Sequence, residues 1–65
     1  MIIVVNGKER TISATTLAGM LLELGLAESR IATAHGGAFV PRAARESCVL
    51  QEGDKVEILA PMQGG

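Results

Sequence analysis

The chain has 65 residues, of which 48% are apolar, and six basic and seven acidic side chains give it a formal net charge of −1. This length predicts one domain with a small core, and a single Phe without Trp or Tyr means a core of aliphatic side chains and Met. Scattered basic residues and the shortage of aromatic side chains argue against nucleic-acid binding and against an anionic membrane surface.

Cysteine content and the N-terminal segment limit the cellular setting. Cys48 is the only cysteine, which excludes an internal disulfide and a zinc site built from several cysteines. The apolar run after Met1 has four residues, too few for a signal peptide or a membrane span. We therefore expect a cytoplasmic protein with no metal site and no bound cofactor.

The first predicted element is a β-hairpin. Residues 2–5 (IIVV) are β-branched, Asn6-Gly7 suits a two-residue turn with positive φ, and KERTIS follows as the second strand. The two-residue period of a strand places residues 1, 3 and 5 on one face, and Ile2 and Val4 on the other. Both faces are apolar, which is unusual for a strand with one side in water.

A helix is predicted next, in TTLAGMLLELGL (residues 15–26). Four apolar residues recur at the spacing of one helical stripe: Leu17, Met20, Leu21 and Leu24. Thr15 or Thr16 can cap the start, and Gly25 suits the left-handed residue that ends a helix. Leu22 lies off the stripe, so we expect it at the rim of the core or in solvent. Gly19 should cost about 1 kcal/mol relative to Ala.

The rest of the chain predicts further strands around an irregular segment. A third strand near residues 31–35 precedes a glycine turn and a short extension that ends at Pro41. Residues 43–54 read mostly as loop, with Val49 and Leu50 in the core and a turn at 52–54. The last strand is KVEILA, residues 55–60, in which Lys55, Glu57 and Leu59 share the solvent face.

These elements favour an α+β fold in which one main helix packs on one face of a mixed sheet. If the first and last strands pair in the centre, the arrangement is the β-grasp, or ubiquitin-like, fold. We expect residues 1–65 to form a single β-grasp domain, with residues 62–65 as a flexible Gly-Gly tail.

No catalytic group is recognisable in the sequence. His35 has no neighbour in sequence that would make a catalytic pair, so we interpret it as a strand-end or turn residue. Cys48 lacks a C-x-x-C motif and a helix N-terminus, and we interpret it as a small buried apolar residue. Gly36-Gly37 lacks the rest of a phosphate-binding motif and predicts a hairpin turn. The carboxylates show no metal-binding or acid–base spacing, so we do not expect an enzyme.

The sequence ends in APMQGG. Glycine buries no side chain and loses the most entropy on ordering, so Gly64-Gly65 has no use in packing. A chain without Cβ atoms can enter a narrow channel, and residues 62–65 reach about 13–14 Å when extended. The α-carboxylate of Gly65 would then be an unhindered acyl group, ready for activation. The alternative is an ordinary frayed terminus.

Segments along the whole chain resemble the ThiS family, the small sulfur carriers of thiamine biosynthesis: VNG, TLAGMLLELGL, FVPR, LQEGDKVEIL and MQGG. The resemblance implies that an ATP-dependent enzyme of the ubiquitin-activating type adenylates Gly65. A sulfur donor system then converts the carboxylate to a thiocarboxylate, and thiazole synthase uses that sulfur to build the thiazole ring. Gln63, Gly64 and Gly65 would enter the partners' active sites, and the carrier itself would catalyse nothing.

The apolar outer face of the first strand indicates where a partner docks. If the helix covers the other face, Ile2, Val4 and Leu59 form an exposed apolar patch with Met62, and such patches mark interfaces. We expect this patch to bind the adenylating enzyme. Arg42 is a further candidate contact, because Arg is enriched at interfaces, although a solvated arginine after a strand is an equal alternative.

Some positions depart from the usual pattern of the family. Gly19 occupies the place of the capping-box acid, which predicts a weaker helix, His35 occupies an apolar position, and Gly36-Gly37 replaces an Asn-Gly turn. None of these affects the tail, but they leave the pathway open between thiamine, molybdopterin and another sulfur acceptor. An alternative of another class is a non-covalent β-grasp adaptor with an inert tail.

Overall fold

The computed structural model describes residues 1–27 and 30–60. The elements run in the order β1 (Ile2–Val5), β2 (Lys8–Thr11), α1 (Leu17–Glu23), β3 (Ala32–His35), β4 (Ala38–Val40), a 3₁₀ helix (Arg42–Ser47) and β5 (Lys55–Leu59). The strands form one five-stranded mixed sheet in the order β2-β1-β5-β3-β4.

The first and last strands pair in the centre of the sheet. β1 and β5 run parallel, with Val4 opposite Lys55 and Val5 opposite Val56. On either side of this pair, β2 joins β1 and β3 joins β5 in antiparallel fashion, and β4 closes the far edge beside β3. This topology confirms the predicted β-grasp fold.

Both predicted hairpin turns are present. Asn6 and Gly7 have φ of 50° and 83°, and Gly36 and Gly37 have φ of 58° and 87°. Left-handed backbone at both central residues defines the turn that matches the twist of a tight hairpin, and Asn and Gly adopt it at low cost. The sequence pattern therefore located both turns to the residue.

The helix and the sheet face beneath it form the core, as the apolar stripe predicts. Thr16 is the N-cap and accepts a hydrogen bond from the backbone N–H of Gly19 at 3.1 Å. Gly25, with φ of 78°, follows the last turn, and Leu22 is 70% exposed. The buried apolar residues are Ile3, Val5, Ile12, Leu17, Met20, Leu21, Leu50 and Val56.

The environment of Gly19 explains why a glycine occupies the first turn of α1. A Cβ atom there would lie 3.0 Å from the Cβ of Ala14 and 3.2 Å from Oγ1 of the capping Thr16. At the other end of α1, the Glu23 carboxylate accepts hydrogen bonds of 3.0 Å from the backbone N–H groups of Ser13 and Ala14. The segment before the helix therefore packs closely against it, and the missing Cβ makes room for that contact.

The segment predicted mostly as loop, residues 43–54, begins in a 3₁₀ helix, so that prediction was wrong for residues 43–47. Pro41 ends β4 and starts the 3₁₀ helix, and the Arg45 side chain anchors this helix to β3. Arg45 is 8% exposed, its Nε donates to Thr33 Oγ1 at 3.1 Å, and its Nη2 donates to the carbonyl of Ile31 at 2.8 Å. A buried guanidinium with these bonds stabilises the 3₁₀ helix, which hydropathy alone does not predict.

Val49 and Leu50 were both expected in the core, but only Leu50 is buried. Leu50 is 3% exposed and Val49 is 62% exposed. The backbone is extended here, and Val49 forms an isolated antiparallel bridge with Thr16. Successive side chains of an extended chain point in opposite directions, so two adjacent residues cannot both reach one core.

Candidate partner-binding surface

The face of the sheet away from α1 is open to solvent along the central strands. The structure places Ile2, Val4 and Leu59 on this open face, as the strand period predicts. Ile2 is 39% and Leu59 is 72% exposed, whereas Val4 is half-buried. The neighbouring residues Ile3 and Val56 point to the core.

Strand register divides the predicted apolar patch into two parts. Val4 lies beside Lys55, at the start of β5, while Leu59 lies at its end, opposite Ala32 of β3. The exposed side chains of Lys55 and Glu57 occupy the same face of β5 between them. The expectation of one continuous patch around Ile2, Val4 and Leu59 therefore needs correction, since two charged residues separate its ends.

Leu59 instead shares its end of the open face with Phe39, which the sequence analysis did not identify. Phe39 is opposite Ala34, and Ala34 is opposite Glu57, so all three point to the open face. Phe39 is 69% exposed. Together with Ala32, Ala34 and Leu59 it borders a shallow depression of about 470 Å³, which Asn6 and Glu57 also line. We call these four residues, Ala32, Ala34, Phe39 and Leu59, the Phe39 patch.

A signal for Phe39 was present in the sequence. It is the only aromatic residue of the chain, and it precedes a half-buried residue, Val40, in a three-residue strand. An apolar residue next to a core-facing one in a strand points away from the core. What the sequence did not contain is the β3–β5 register that brings Leu59 to the same end.

Arg42 lies beside α1 and does not line the depression at the Phe39 patch. It is the exposed first residue of the 3₁₀ helix, which follows Pro41 at the edge of the sheet. With Leu21 and Ala18 of α1 it lines a separate groove of about 390 Å³ between the two helices. The structure therefore does not bring Arg42 together with Ile2, Val4 or Leu59.

His35 has a partner that sequence proximity did not reveal. Its Nε2 lies 2.7 Å from Oδ2 of Asp54, 19 residues later, and the two side chains are 30% and 27% exposed. The same Asp54 oxygen accepts the backbone N–H of Gln51 at 2.9 Å. The hydrogen bond from His35, followed by that from Gln51, holds the pKa of Asp54 below its ordinary value. This pair ties the end of β3 to the turn before β5.

Cys48 does not have the environment of a reactive thiol. It packs at the edge of the core, and burial, with a smaller contribution from the negative charge of Asp54, raises the pKa of its thiol. A raised pKa lowers the thiolate fraction and therefore the nucleophilicity at neutral pH. The structure supports the interpretation of Cys48 as a packing residue.

In residues 1–27 and 30–60, no helix combines the length and hydropathy needed to cross a membrane. Within the same ranges, no three or more His, Cys, Asp or Glu side chains are grouped so that they could hold a metal ion.

The predicted reactive tail lies outside the described residues. This applies to Met62, Gln63, Gly64 and Gly65, as well as to Pro61. The described chain ends at Ala60, one residue after Leu59 of the Phe39 patch. The patch is therefore next in sequence to the segment for which a chemical role is predicted.

Comparison with known proteins identifies the family of this chain. The model of the ThiS family matches residues 3–65. This chain belongs to the ThiS family. Its described elements also superimpose on solved structures of that family, so sequence and fold agree.

Two solved structures from Geobacter metallireducens resemble this ThiS-family chain. A crystal structure of its thiamine biosynthesis protein ThiS is 29% identical, with a TM-score of 0.83 and 100% of both chains covered. A solution NMR structure of a thiamine biosynthesis protein is also 29% identical, with a TM-score of 0.79, and covers 100% of this chain and 88% of the other.

Two curated relatives are thiazole synthases. This ThiS-family chain is 36% identical to the Paramagnetospirillum magneticum protein over 66 residues, which is 100% of the chain and 20% of the relative. It is 38% identical to the Magnetococcus marinus protein over 61 residues, which is 92% of the chain and 19% of the relative. The chain thus spans about a fifth of the length of these relatives.

Proposed function

We propose that this chain is a sulfur carrier for the thiazole of thiamine and that Gly65 is the residue that carries the sulfur. The observation that supports this most strongly is the family match, which extends through residue 65 and so includes Gln63, Gly64 and Gly65. The thiazole synthases among the relatives favour thiazole over molybdopterin as the destination.

The proposed chemistry begins with activation of a poor electrophile. A carboxylate oxygen of Gly65 attacks the α-phosphorus of ATP bound to an adenylating enzyme, and pyrophosphate leaves. Sulfur at the oxidation level of sulfide, supplied by a donor system, then attacks the carbonyl carbon of this mixed anhydride, AMP leaves, and a thiocarboxylate remains. Thiazole synthase takes the sulfur, and an oxygen atom replaces it, which returns Gly65 to a carboxylate. ATP is thus a substrate of the adenylating enzyme, and the carrier needs no bound cofactor.

In this proposal the carrier supplies recognition and reach, and its partners supply catalysis. The partner enzymes provide the preorganised groups that stabilise the developing charges. The carrier delivers the carboxylate to them on a segment that spans about 13–14 Å when extended. It therefore needs no nucleophile or acid–base pair of its own.

We propose the Phe39 patch as the main docking surface for the adenylating enzyme. Phe39 and Leu59 are large, apolar and exposed, and isolated domains seldom present such residues together without a partner. Leu59 is also close in sequence to the tail, so docking here would bring the tail close to the enzyme.

The other predicted contact residues would play lesser or different parts. Ile2 and Val4 lie beyond Lys55 on the same face and would make secondary contacts, together with Met62. Arg42 faces another direction and would contact a second partner, such as thiazole synthase.

Intact-mass analysis tests the sulfur-carrier proposal. The chain would be incubated with ATP, a sulfur donor and an adenylating enzyme that is active on a ThiS-family carrier. We expect its mass to rise by the difference between one sulfur and one oxygen atom, with fragmentation locating the change at Gly65. An unchanged mass with the active enzyme would refute the proposal.

Deletion of Gly64-Gly65 distinguishes the carrier from a non-covalent adaptor. A carrier that lacks both residues keeps its fold and its affinity for the enzyme but gains no sulfur and supports no thiazole formation. An adaptor with an inert tail would keep its function after the deletion. Circular dichroism of the deleted chain provides the folding control.

A further inference from the structure

Asn6 makes an unusual contact for a hairpin-turn residue. Its backbone, with φ of 50°, forms the first half of the β1–β2 turn. Its side chain reaches across to β5, where Oδ1 accepts the backbone N–H of Ile58 at 2.8 Å and Nδ2 donates to the carbonyl of Ile58 at 3.1 Å. One carboxamide thus pairs with both backbone groups of a single strand residue.

The position of this contact follows from the parallel ladder between β1 and β5. The backbone N–H of Val4 donates to the carbonyl of Asp54 at 2.9 Å, and that of Asn6 donates to Val56 at 3.0 Å. In a parallel ladder the next repeat would join Ile58 to the carbonyl of residue 6 and the N–H of residue 8. β1 ends at Val5, and the chain turns away into β2.

The Asn6 side chain replaces both of those missing backbone partners. Its oxygen takes the place of the residue 6 carbonyl, and its NH₂ group takes the place of the residue 8 amide. The ladder therefore continues for one more repeat after β1 has left the sheet. Ile58 is the last residue but one of β5, so this repeat lies where the strand leads into residues 61–65.

We propose that Asn6 is a positioning residue that fixes the direction in which β5 leaves the sheet towards Gly65. With the carboxamide in place, the end of β5 is held on both sides, by Asn6 and by β3. Without it, the last residues of β5 are held by β3 alone, and the tail departs from a frayed strand. This role rests on the proposed function, because it matters only if the Gly65 carboxylate must reach a partner's active site.

We call the two bonds between the Asn6 side chain and the Ile58 backbone the Asn6 clamp. Two substitutions distinguish the effect of this clamp from that of the hairpin turn. Asn6→Gly keeps the left-handed backbone, which glycine adopts readily, and removes both side-chain bonds. Asn6→Asp keeps the acceptor for the Ile58 N–H and removes the donor to its carbonyl. Glu52→Ala is a matched control, because Glu52 Oε1 accepts the backbone N–H of Ile2 at 3.1 Å, an exposed bond near the opposite end of β1.

Amide hydrogen exchange tests the clamp in the full chain by itself. We expect Asn6→Gly to accelerate exchange of the Ile58 amide by about tenfold, since this amide is protected by its hydrogen bond to Asn6 Oδ1. Asn6→Asp should have a smaller effect on that amide, and Glu52→Ala none. Unchanged exchange of the Ile58 amide in Asn6→Gly would overturn the clamp.

Steady-state kinetics with the adenylating enzyme test the positioning role. Asn6 borders the same depression as the Phe39 patch, but the apolar anchors Phe39 and Leu59 remain in Asn6→Gly. Followed by ATP–pyrophosphate exchange, this variant should therefore lower kcat by about tenfold and leave KM for the carrier within about twofold, because docking persists while fewer tails are correctly directed. Glu52→Ala should match the wild-type chain.

The outcomes separate this inference from the proposed function. If the wild-type chain is adenylated and Asn6→Gly has an unchanged kcat despite faster Ile58 exchange, Asn6 is a structural residue and the positioning role is overturned. A raised KM at constant kcat would also overturn it, since it would indicate direct contact with the enzyme. A wild-type chain that is not adenylated by the active enzyme would overturn the proposed function itself.

Discussion

The two faces of the sheet are built by the same strands but have opposite surroundings. On β1, Ile3 is 0% and Ile2 is 39% exposed, and on β5, Val56 is 1% and Leu59 is 72% exposed. These pairs have similar side chains, so hydrophobicity does not decide their roles. The role of each side chain is decided by the alternation of side chains along a strand. One face of the sheet packs under α1 and stabilises the domain, and the other is available for recognition. Substitutions matched across the two faces test this division of roles.

The largest expected effect is on the covered face. Ile3→Ala removes a fully buried side chain from a small core and should lower the free energy of unfolding by about 2–5 kcal/mol. Ile2→Ala, one residue away on the open face, should lower it by about 1 kcal/mol or less. Urea denaturation of both variants measures the difference. Equal losses would contradict the division of the sheet into two functional faces.

Arg45 tests whether the covered side depends on a polar anchor as well as on apolar packing. Arg45→Ala removes the bonds to Thr33 and to the Ile31 carbonyl and should destabilise the chain by about 2 kcal/mol. Arg42→Ala, in the same 3₁₀ helix but exposed, should change stability by about 0.5 kcal/mol or less. If thermal unfolding showed the two variants to be alike, Arg45 would not anchor this helix.

Substitutions on the open face should change the affinity for the adenylating enzyme and leave the free energy of unfolding nearly unchanged. Phe39→Asp places a charge in the Phe39 patch and should weaken binding to the adenylating enzyme by about tenfold or more, since exposed aromatic anchors dominate such interfaces. Val49→Asp is the control, because Val49 is similarly exposed, at 62%, but lies beside the start of α1. Calorimetric titration of both variants measures the affinities. Equal weakening, or none, would place the docking surface elsewhere.

The smallest expected effect concerns the His35–Asp54 pair, which ties the end of β3 to the turn before β5. The folded pKa of Asp54 lies below its unfolded value, so its contribution to stability is present above the unfolded pKa. That contribution is lost as pH falls through the folded pKa. Urea midpoints of the wild-type chain and Asp54→Asn should therefore converge in acid. His35→Gln should weaken this dependence without abolishing it, because the Gln51 N–H still bonds to Asp54. If the urea midpoints of the wild-type chain and Asp54→Asn differed by the same amount throughout the acid range, this prediction would be contradicted.

Local patterns predicted much of the fold. The Asn6-Gly7 turn, the apolar stripe of α1 and the alternation in β5 each depend on neighbouring residues, and each was predicted correctly. The 3₁₀ helix was missed because Arg45 stabilises it through β3, more than ten residues away in the sequence. Val49 was misplaced because hydrophobicity does not tell which of two adjacent apolar residues points inward.

The candidate site was predicted less completely than the fold. Ile2, Val4 and Leu59 were assigned to the open face by strand period. Their separation by Lys55 and Glu57, and the presence of Phe39 beside Leu59, depend on the registers of β1–β5 and β3–β5. Arg42 was predicted as a separate candidate contact, with a solvated arginine as the alternative, and the sequence did not show that it lies beside α1.

The strands, the main helix, the family and the proposed reactive residue Gly65 follow from the sequence alone, because hairpin turns, a helical stripe and a Gly-Gly pair are patterns of consecutive residues. Tertiary structure alone decided which residues share the Phe39 patch, that His35 meets Asp54, and that the Asn6 side chain continues the β1–β5 ladder at Ile58. Each of these depends on the pairing of strands far apart in the chain, and pairing is settled by burial of the whole sheet face under α1.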